Sequence, residues 1–168
     1  MRGLALLLGV CGVVAALLAF KLVVPMIPAN ASASSMAIRL GLASAALLPG
    51  VAVLAAMQLV QMAGRYGTMA FDPLAASETR FLRVNQRIIT NTVEQLAVFA
   101  PSLLALAAGA PAARMPEVVA LGAVFALGRV LFWGGYLCSP DLRGPGMAAT
   151  LVATLGALAA AAWFWMHG

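Results

Sequence analysis

The sequence predicts an all-α membrane protein, a transmembrane helix bundle, on three observations. Of its 168 residues, 64% are hydrophobic and 9% are charged, with a mean hydropathy of +1.02. A soluble domain carries about 25% charged residues, so lipid rather than water must solvate most of this surface. The apolar residues fall into five stretches, each long enough to cross a hydrocarbon core of about 30 Å as a helix. The connectors between them are short, and in lipid a helix satisfies its own backbone polar groups where irregular chain cannot.

The first stretch runs from Gly3 to Val24 and is interrupted only by Lys21. Arg2 ahead of it and Ala31-Ser32-Ala33 after it have the look of a secretory leader with its cleavage site. The length of the run, and Lys21, Pro25 and Pro28 before that site, favour a retained helix. Pro28 to Ser35 is small and polar and reads as a turn. The second stretch runs from about Ala37 to Met62, with Arg39 near its start and Pro49-Gly50 as a kink or weak point. The longest connector, Ala63 to Thr79, carries Arg65, Tyr66, Asp72, Pro73 and Glu78 and suits the headgroup level.

The third stretch runs from about Ile88 to Ala108. Ser77, Glu78 and Arg80 ahead of it predict a helix that starts before its apolar run and projects from the membrane. Gly109 to Pro116, with Pro111 and Arg114, leads to the fourth stretch, Val118 to Leu137. Ser139 to Pro145, carrying Asp141 and Arg143, leads to the fifth, Met147 to Met166.

The net charge of +5 comes from ten basic and five acidic residues. Most basic residues sit near the ends of apolar segments, and no basic patch has interleaved aromatics, so the chain is not read as binding nucleic acid. With five spans, the amino terminus and the connectors 63–79 and 139–145 share one side. That side collects Arg2, Arg65, Arg80, Arg83 and Arg143, against Arg114, Lys21 and Arg39 on the other. Positive charge is retained in the cytoplasm, which places the first group inside.

Cys11 and Cys138 lie far apart in or beside apolar segments, without metal-ligand spacing or a disulfide framework, and read as packing residues. Cys138 and Ser139 have no nearby base, which leaves nucleophilic catalysis unsupported. His167 reads as a lone solvated tail residue. Metal ligands of usable spacing are absent from the sequence, so no metal site is predicted.

One polar stripe stands out. Arg80, Arg83, Arg87, Asn91 and Glu94 are spaced 3, 4, 4 and 3, which aligns them on one helical face. Glu94 lies about 9 Å past Ile88 at roughly 1.5 Å per residue. An unpaired carboxylate there costs at least a few kcal/mol in lipid, so it must face protein, water or a ligand. On the fourth stretch Arg129, Phe132, Trp133 and Tyr136 recur at helical spacing, with Arg143 just beyond. Arg129 is the expected partner of Glu94. Polar residues also serve as glue between membrane helices, and Arg80 and Arg83 alone would pass for a solvated helix end. The whole set, however, holds more positive charge than it can neutralise internally. It suits an anionic, zwitterionic, peptide-like ligand, with arginines for carboxylates, glutamate for an amine and asparagine for peptide groups.

Arg87-Ile-Ile-Thr-Asn91-Thr-Val-Glu94 resembles the Arg-x-x-x-Asn-x-x-Glu signature of the MAPEG family, the membrane-associated proteins of eicosanoid and glutathione metabolism. Arg129, Tyr136 seven residues on and Arg143 seven further resemble that family's next helix and following loop. The resemblance spans about Ala37 to Met166. It implies a four-helix protomer over 37–168, with 1–36 as an additional amino-terminal segment and turn. It also implies a homotrimer that binds glutathione between protomers near the cytoplasmic side.

By position, Arg87, Asn91, Glu94, Arg129 and Tyr136 fall in the glutathione site, and Arg143 matches the arginine that stabilises the glutathione thiolate. The implied activity is that of a glutathione-dependent transferase or peroxidase acting on lipophilic electrophiles. Non-catalytic lipid-binding or scaffold members exist, and a small transporter is a third reading of intramembrane Glu94 and Arg129. The sequence departs from the family pattern in its first apolar segment, in Phe132 where some members have a second tyrosine, and in lacking a proline soon after Glu94. Arginine-rich, lysine-poor usage fits a bacterial source and hence a bacterial inner membrane.

Overall fold

A computed structural model describes residues 2–28, 34–69 and 78–167. Helix α1 covers Arg2–Val23 and passes into a 3-10 turn at Val24–Met26. Helices α2 (Met36–Thr68), α3 (Arg80–Gly109), α4 (Met115–Cys138) and α5 (Gly144–His167) follow. Short 3-10 turns at Ala112–Arg114 and Asp141–Arg143 lead into α4 and α5. The described residues contain no strand, and all five helices are long and apolar enough to cross a membrane. The protein is an all-α, multi-pass membrane bundle.

The end of α2 differs from that drawn on hydropathy. Helix α2 does not stop at Met62 but continues to Thr68, so part of the expected connector is helical. Apolar runs end where lipid ends, whereas helices end where capping ends them. Here Met69, in the left-handed region at φ 55°, turns its N–H back to the Arg65 and Tyr66 carbonyls. Helix α2 also runs through Pro49 without a break. Helix α3 starts at Arg80, ahead of its apolar run, with Thr79 as N-cap accepting from the Leu82 amide at 3.3 Å. Glu78 pairs instead with Arg65 at 3.1 Å, tying the end of α2 to the start of α3. The candidate cleavage site Ala31-Ser32-Ala33, and Asp72, Pro73 and Ser77, lie outside the described residues.

The centre of the bundle is the pair α4 and α5. Helix α4 packs against α2, α3 and α5, and α5 packs against α1, α3 and α4. The buried face of α5 consists of Gly146, Ala149, Thr150, Ala153, Thr154, Ala157 and Ala161, small residues at helical spacing. Lipid tails are as apolar as leucine, so membrane helices gain most from close backbone approach. At Gly122 of α4 an added Cβ would lie 2.2 Å from the Ala46 carbonyl oxygen of α2. Between these contacts Phe99 and Phe125 stack with centroids 4.2 Å apart.

Large apolar side chains face outward, Leu6 at 73% and Leu22 at 68% exposed, as a lipid-bathed surface requires. Cys11 and Cys138 share that position: both are exposed free thiols, not packing residues. An apolar environment in a membrane can be lipid as readily as protein, which hydropathy does not distinguish. His167 likewise has a partner. Its ring stacks on Trp163 at 4.0 Å as the last residue of α5.

Gly122→Ala should destabilise the bundle by about 1–3 kcal/mol through overpacking. Gly134→Ala, where a Cβ meets nothing within 4 Å, should leave the thermal midpoint in detergent unchanged or slightly raised.

Candidate functional site

The amino-terminal half of α3, the end of α4, the 141–143 turn and the start of α5 meet at one end of the bundle. They enclose a cavity of about 510 Å³, within the roughly 300–1,000 Å³ range of small-molecule sites. Arg87, Asn91 and Glu94 line it from α3, Phe132 and Tyr136 from α4, Arg143 from the turn and Met147 from α5. Arg80 and Arg83 do not take part: Arg80 is exposed, and Arg83 donates to the Glu78 carbonyl at 2.9 Å. The stripe on α3 therefore divides into a helix-start portion and a cavity portion.

Arg129 stands behind the wall. It is fully buried, the bulkiest such side chain in the protein's described residues. Glu94 is not its partner. Nε and Nη2 donate to Thr150 Oγ1 at 2.9 and 2.7 Å, and Nη1 donates to Asn91 Oδ1 at 2.9 Å. The guanidinium also lies 4.5 Å from the centroid of Phe132, a favourable cation–π distance. Glu94, one helical turn past Asn91, is exposed to the cavity and makes no ion pair among the described residues.

This arrangement orients the groups in front of it. A guanidinium can only donate, so the Asn91 atom facing Arg129 must be the oxygen. The Asn91 amide nitrogen is then left without a partner among the described residues, as a donor on the cavity wall. Arg143 Nη1 donates to Tyr136 Oη at 3.3 Å and its guanidinium lies 5.1 Å from the Tyr136 ring centroid. The Tyr136 hydroxyl accepts this bond and keeps its own hydrogen to donate. Phe132 touches the Tyr136 ring edge-on at 5.7 Å while its face meets Arg129. With Arg87 and Arg143 opposed by Glu94 alone, the lining carries surplus positive charge.

A second polar layer lies one to two turns nearer the start of α3. Asn85, fully buried, accepts from Trp133 Nε1 at 2.8 Å and donates to Gln61 Oε1 at 2.9 Å and the Met57 carbonyl at 3.1 Å. Gln61 completes the chain by donating to the Leu82 carbonyl at 3.2 Å. This layer fixes α2 and α4 against α3 and so holds the cavity wall in place.

Comparison with known proteins bears on what this cavity is. Residues 40–163 match the MAPEG family. An uncharacterized protein of the cyanobacterium Synechocystis is 35% identical over 127 residues, covering 70% of this chain and 88% of the relative. The chain belongs to the MAPEG family. The family match begins within α2, so α1 lies outside it.

Sequence reasoning missed four residues of this candidate site. Gln86 and Thr90 also line the cavity. They precede Glu94 at four-residue steps, a spacing that could have revealed them. Met147 on the wall and Thr150 behind it come from α5, whose Gly/Ala/Thr face carries no mark to single them out.

Thr150→Val would remove the oxygen that accepts from Nε and Nη2 of the buried guanidinium, leaving it Asn91 alone among its oxygen acceptors. The expected loss is about 1–3 kcal/mol, read as a lowered thermal midpoint. Thr150→Ser, which keeps the hydroxyl, should stay near wild type.

Proposed function

We propose that this MAPEG protein is a membrane-bound glutathione-dependent transferase or peroxidase acting on lipophilic electrophiles. The observation that carries the proposal is the cavity in which Arg87, Asn91, Glu94, Tyr136 and Arg143 converge with more positive than negative charge. Glutathione is an anionic tripeptide with an amine and carboxylates, and it would supply a nucleophilic thiol at this site. The donor set fits it. Arg87 offers a fork for a carboxylate, Glu94 an anion for the ammonium, and the Asn91 amide a donor for a peptide carbonyl.

Arg143 is assigned the thiolate. A nearby cation stabilises the charged sulfur and lowers its pKa. Tyr136, bonded to Arg143 at 3.3 Å, holds that guanidinium against the cavity wall and presents its own hydroxyl alongside. Phe132 and Met147 make the apolar part of the lining, where a lipophilic co-substrate would meet the sulfur. Arg129 supports the site from behind by aligning Asn91.

We take residues 37–168 as the family unit and 1–36 as an addition to it. Assembly as a homotrimer would cover exposed Arg87 and Glu94 with a neighbouring protomer. The arginine excess at the cavity end supports a cytoplasmic position for that end, in a bacterial inner membrane. A non-catalytic lipid-binding or scaffold role is the second reading. What favours it is Phe132, whose ring brings no hydroxyl to the site.

Titrating purified protein in detergent with glutathione, while following thiolate absorbance in the ultraviolet, tests the proposal. The expected signal appears in wild type and vanishes in Arg143→Ala, with a loss of kcat/KM of about 10²-fold or more. Binding without thiolate supports the scaffold reading, and no binding refutes the enzyme reading and weakens the scaffold one. Glu94→Gln should weaken glutathione binding by about tenfold or more, the worth of a hydrogen bond to a charged group.

A further inference from the structure

Helix α1 lies wholly outside the family match. Most of its surface faces outward, yet Gly12 and Ala16, one turn apart, are buried. Gly12 marks a close backbone approach. An added Cβ there would lie 2.4 Å from the Pro145 carbonyl oxygen, 2.6 Å from its Cα and 2.8 Å from its carbonyl carbon. All three are backbone atoms, so a side chain at position 12 could be accommodated only by moving a helix. Pro145 is two residues past Arg143, and α1 also touches the 141–143 turn itself.

Arg143 depends on that turn. Its guanidinium is exposed and is tethered through a side chain only to Tyr136 among the described residues. Where the guanidinium sits is therefore set by Tyr136 and by the backbone of residues 139–146. Two glycines secure this backbone from the bundle side. A Cβ at Gly135 of α4 would lie 2.3 Å from the Leu142 carbonyl oxygen, and one at Gly146 would lie 2.1 Å from the Phe132 nitrogen. Gly12 meets the same short segment from α1. The turn is thus held between α4 and α1.

We propose that α1 is a positioning element for the site, with Gly12 as the contact through which it fixes the Arg143 turn. The proposal rests on the assignment of Arg143 to the thiolate. Without α1 seated on Pro145, the start of α5 and the turn before it lose the support opposite α4. The guanidinium then samples positions farther from the sulfur. Gly12 touches neither ligand nor cavity and acts through Arg143 alone.

The test compares full-length Gly12→Ala and Gly12→Leu with Gly9→Leu, a position on the same helix where a Cβ meets nothing within 4 Å. Two readouts are taken. Hydrogen exchange of the amides in 139–146 should speed up by about tenfold in the Gly12 variants, as local opening becomes easier. The pH midpoint of thiolate formation by bound glutathione should rise by about half a unit or more as the stabilising cation recedes. KM for glutathione should change little, and Gly9→Leu should match wild type in both.

Gly12→Ala keeps the perturbation small should Gly12→Leu fail to fold. Unchanged exchange in the Gly12 variants would overturn the contact. Faster exchange with an unmoved thiolate midpoint would overturn the positioning role. If wild type binds glutathione without forming thiolate, the assignment of Arg143 fails, and exchange alone still decides whether α1 holds the turn.

Discussion

Arg129 is a positive charge sealed inside an apolar bundle, and the arrangement of the site follows from how that charge is accommodated. Such a group is expensive in a membrane, and no carboxylate among the described residues offsets it. It is satisfied instead by neutral acceptors and a ring face: Thr150 on α5, Asn91 on α3 and Phe132 on its own helix. Three helices are thereby required to meet at one level. The meeting is possible because α4 and α5 approach closely, with Gly128 against Thr150 and Gly146 against Phe132. A bulkier residue at either glycine would carry the Thr150 hydroxyl away from the guanidinium.

From that point the consequences move outward. Asn91, with its oxygen committed to Arg129, turns its amide nitrogen to the cavity. Phe132, with one face under Arg129, meets Tyr136 edge-on, and Tyr136 in turn receives Arg143. The layer of Gln61, Asn85 and Trp133 does for α2 what Arg129 does for α5. Helix α3 is thus the polar helix of an otherwise apolar bundle. Its buried polar groups hold the fold, while the arginine and glutamate of the same helix line the cavity.

Much of this was legible in the sequence. Arg87, Asn91 and Glu94 align because helical geometry forces residues three and four apart onto one face, and all three do line one cavity with Tyr136 and Arg143. The pairing of Glu94 with Arg129 was not legible and proved wrong. Spacing along each helix says nothing of the axial level at which two helices meet, and a shift of one turn replaces Glu94 by Asn91. The cysteines failed for a related reason, since an apolar neighbourhood in a membrane can be lipid or protein.

By itself, the sequence determined the solvent of this protein, the number of its spans, the polar face of α3 and the family signature. Each follows from composition or from the period of a single helix. The tertiary structure decided which polar groups pair, which arginine is sealed and which are presented to the cavity, and that α1 bears on the Arg143 turn. Those outcomes depend on the register between helices. Register is set by close contacts at Gly12, Gly122, Gly128 and Gly146, and a glycine in a sequence does not reveal the surface it will meet.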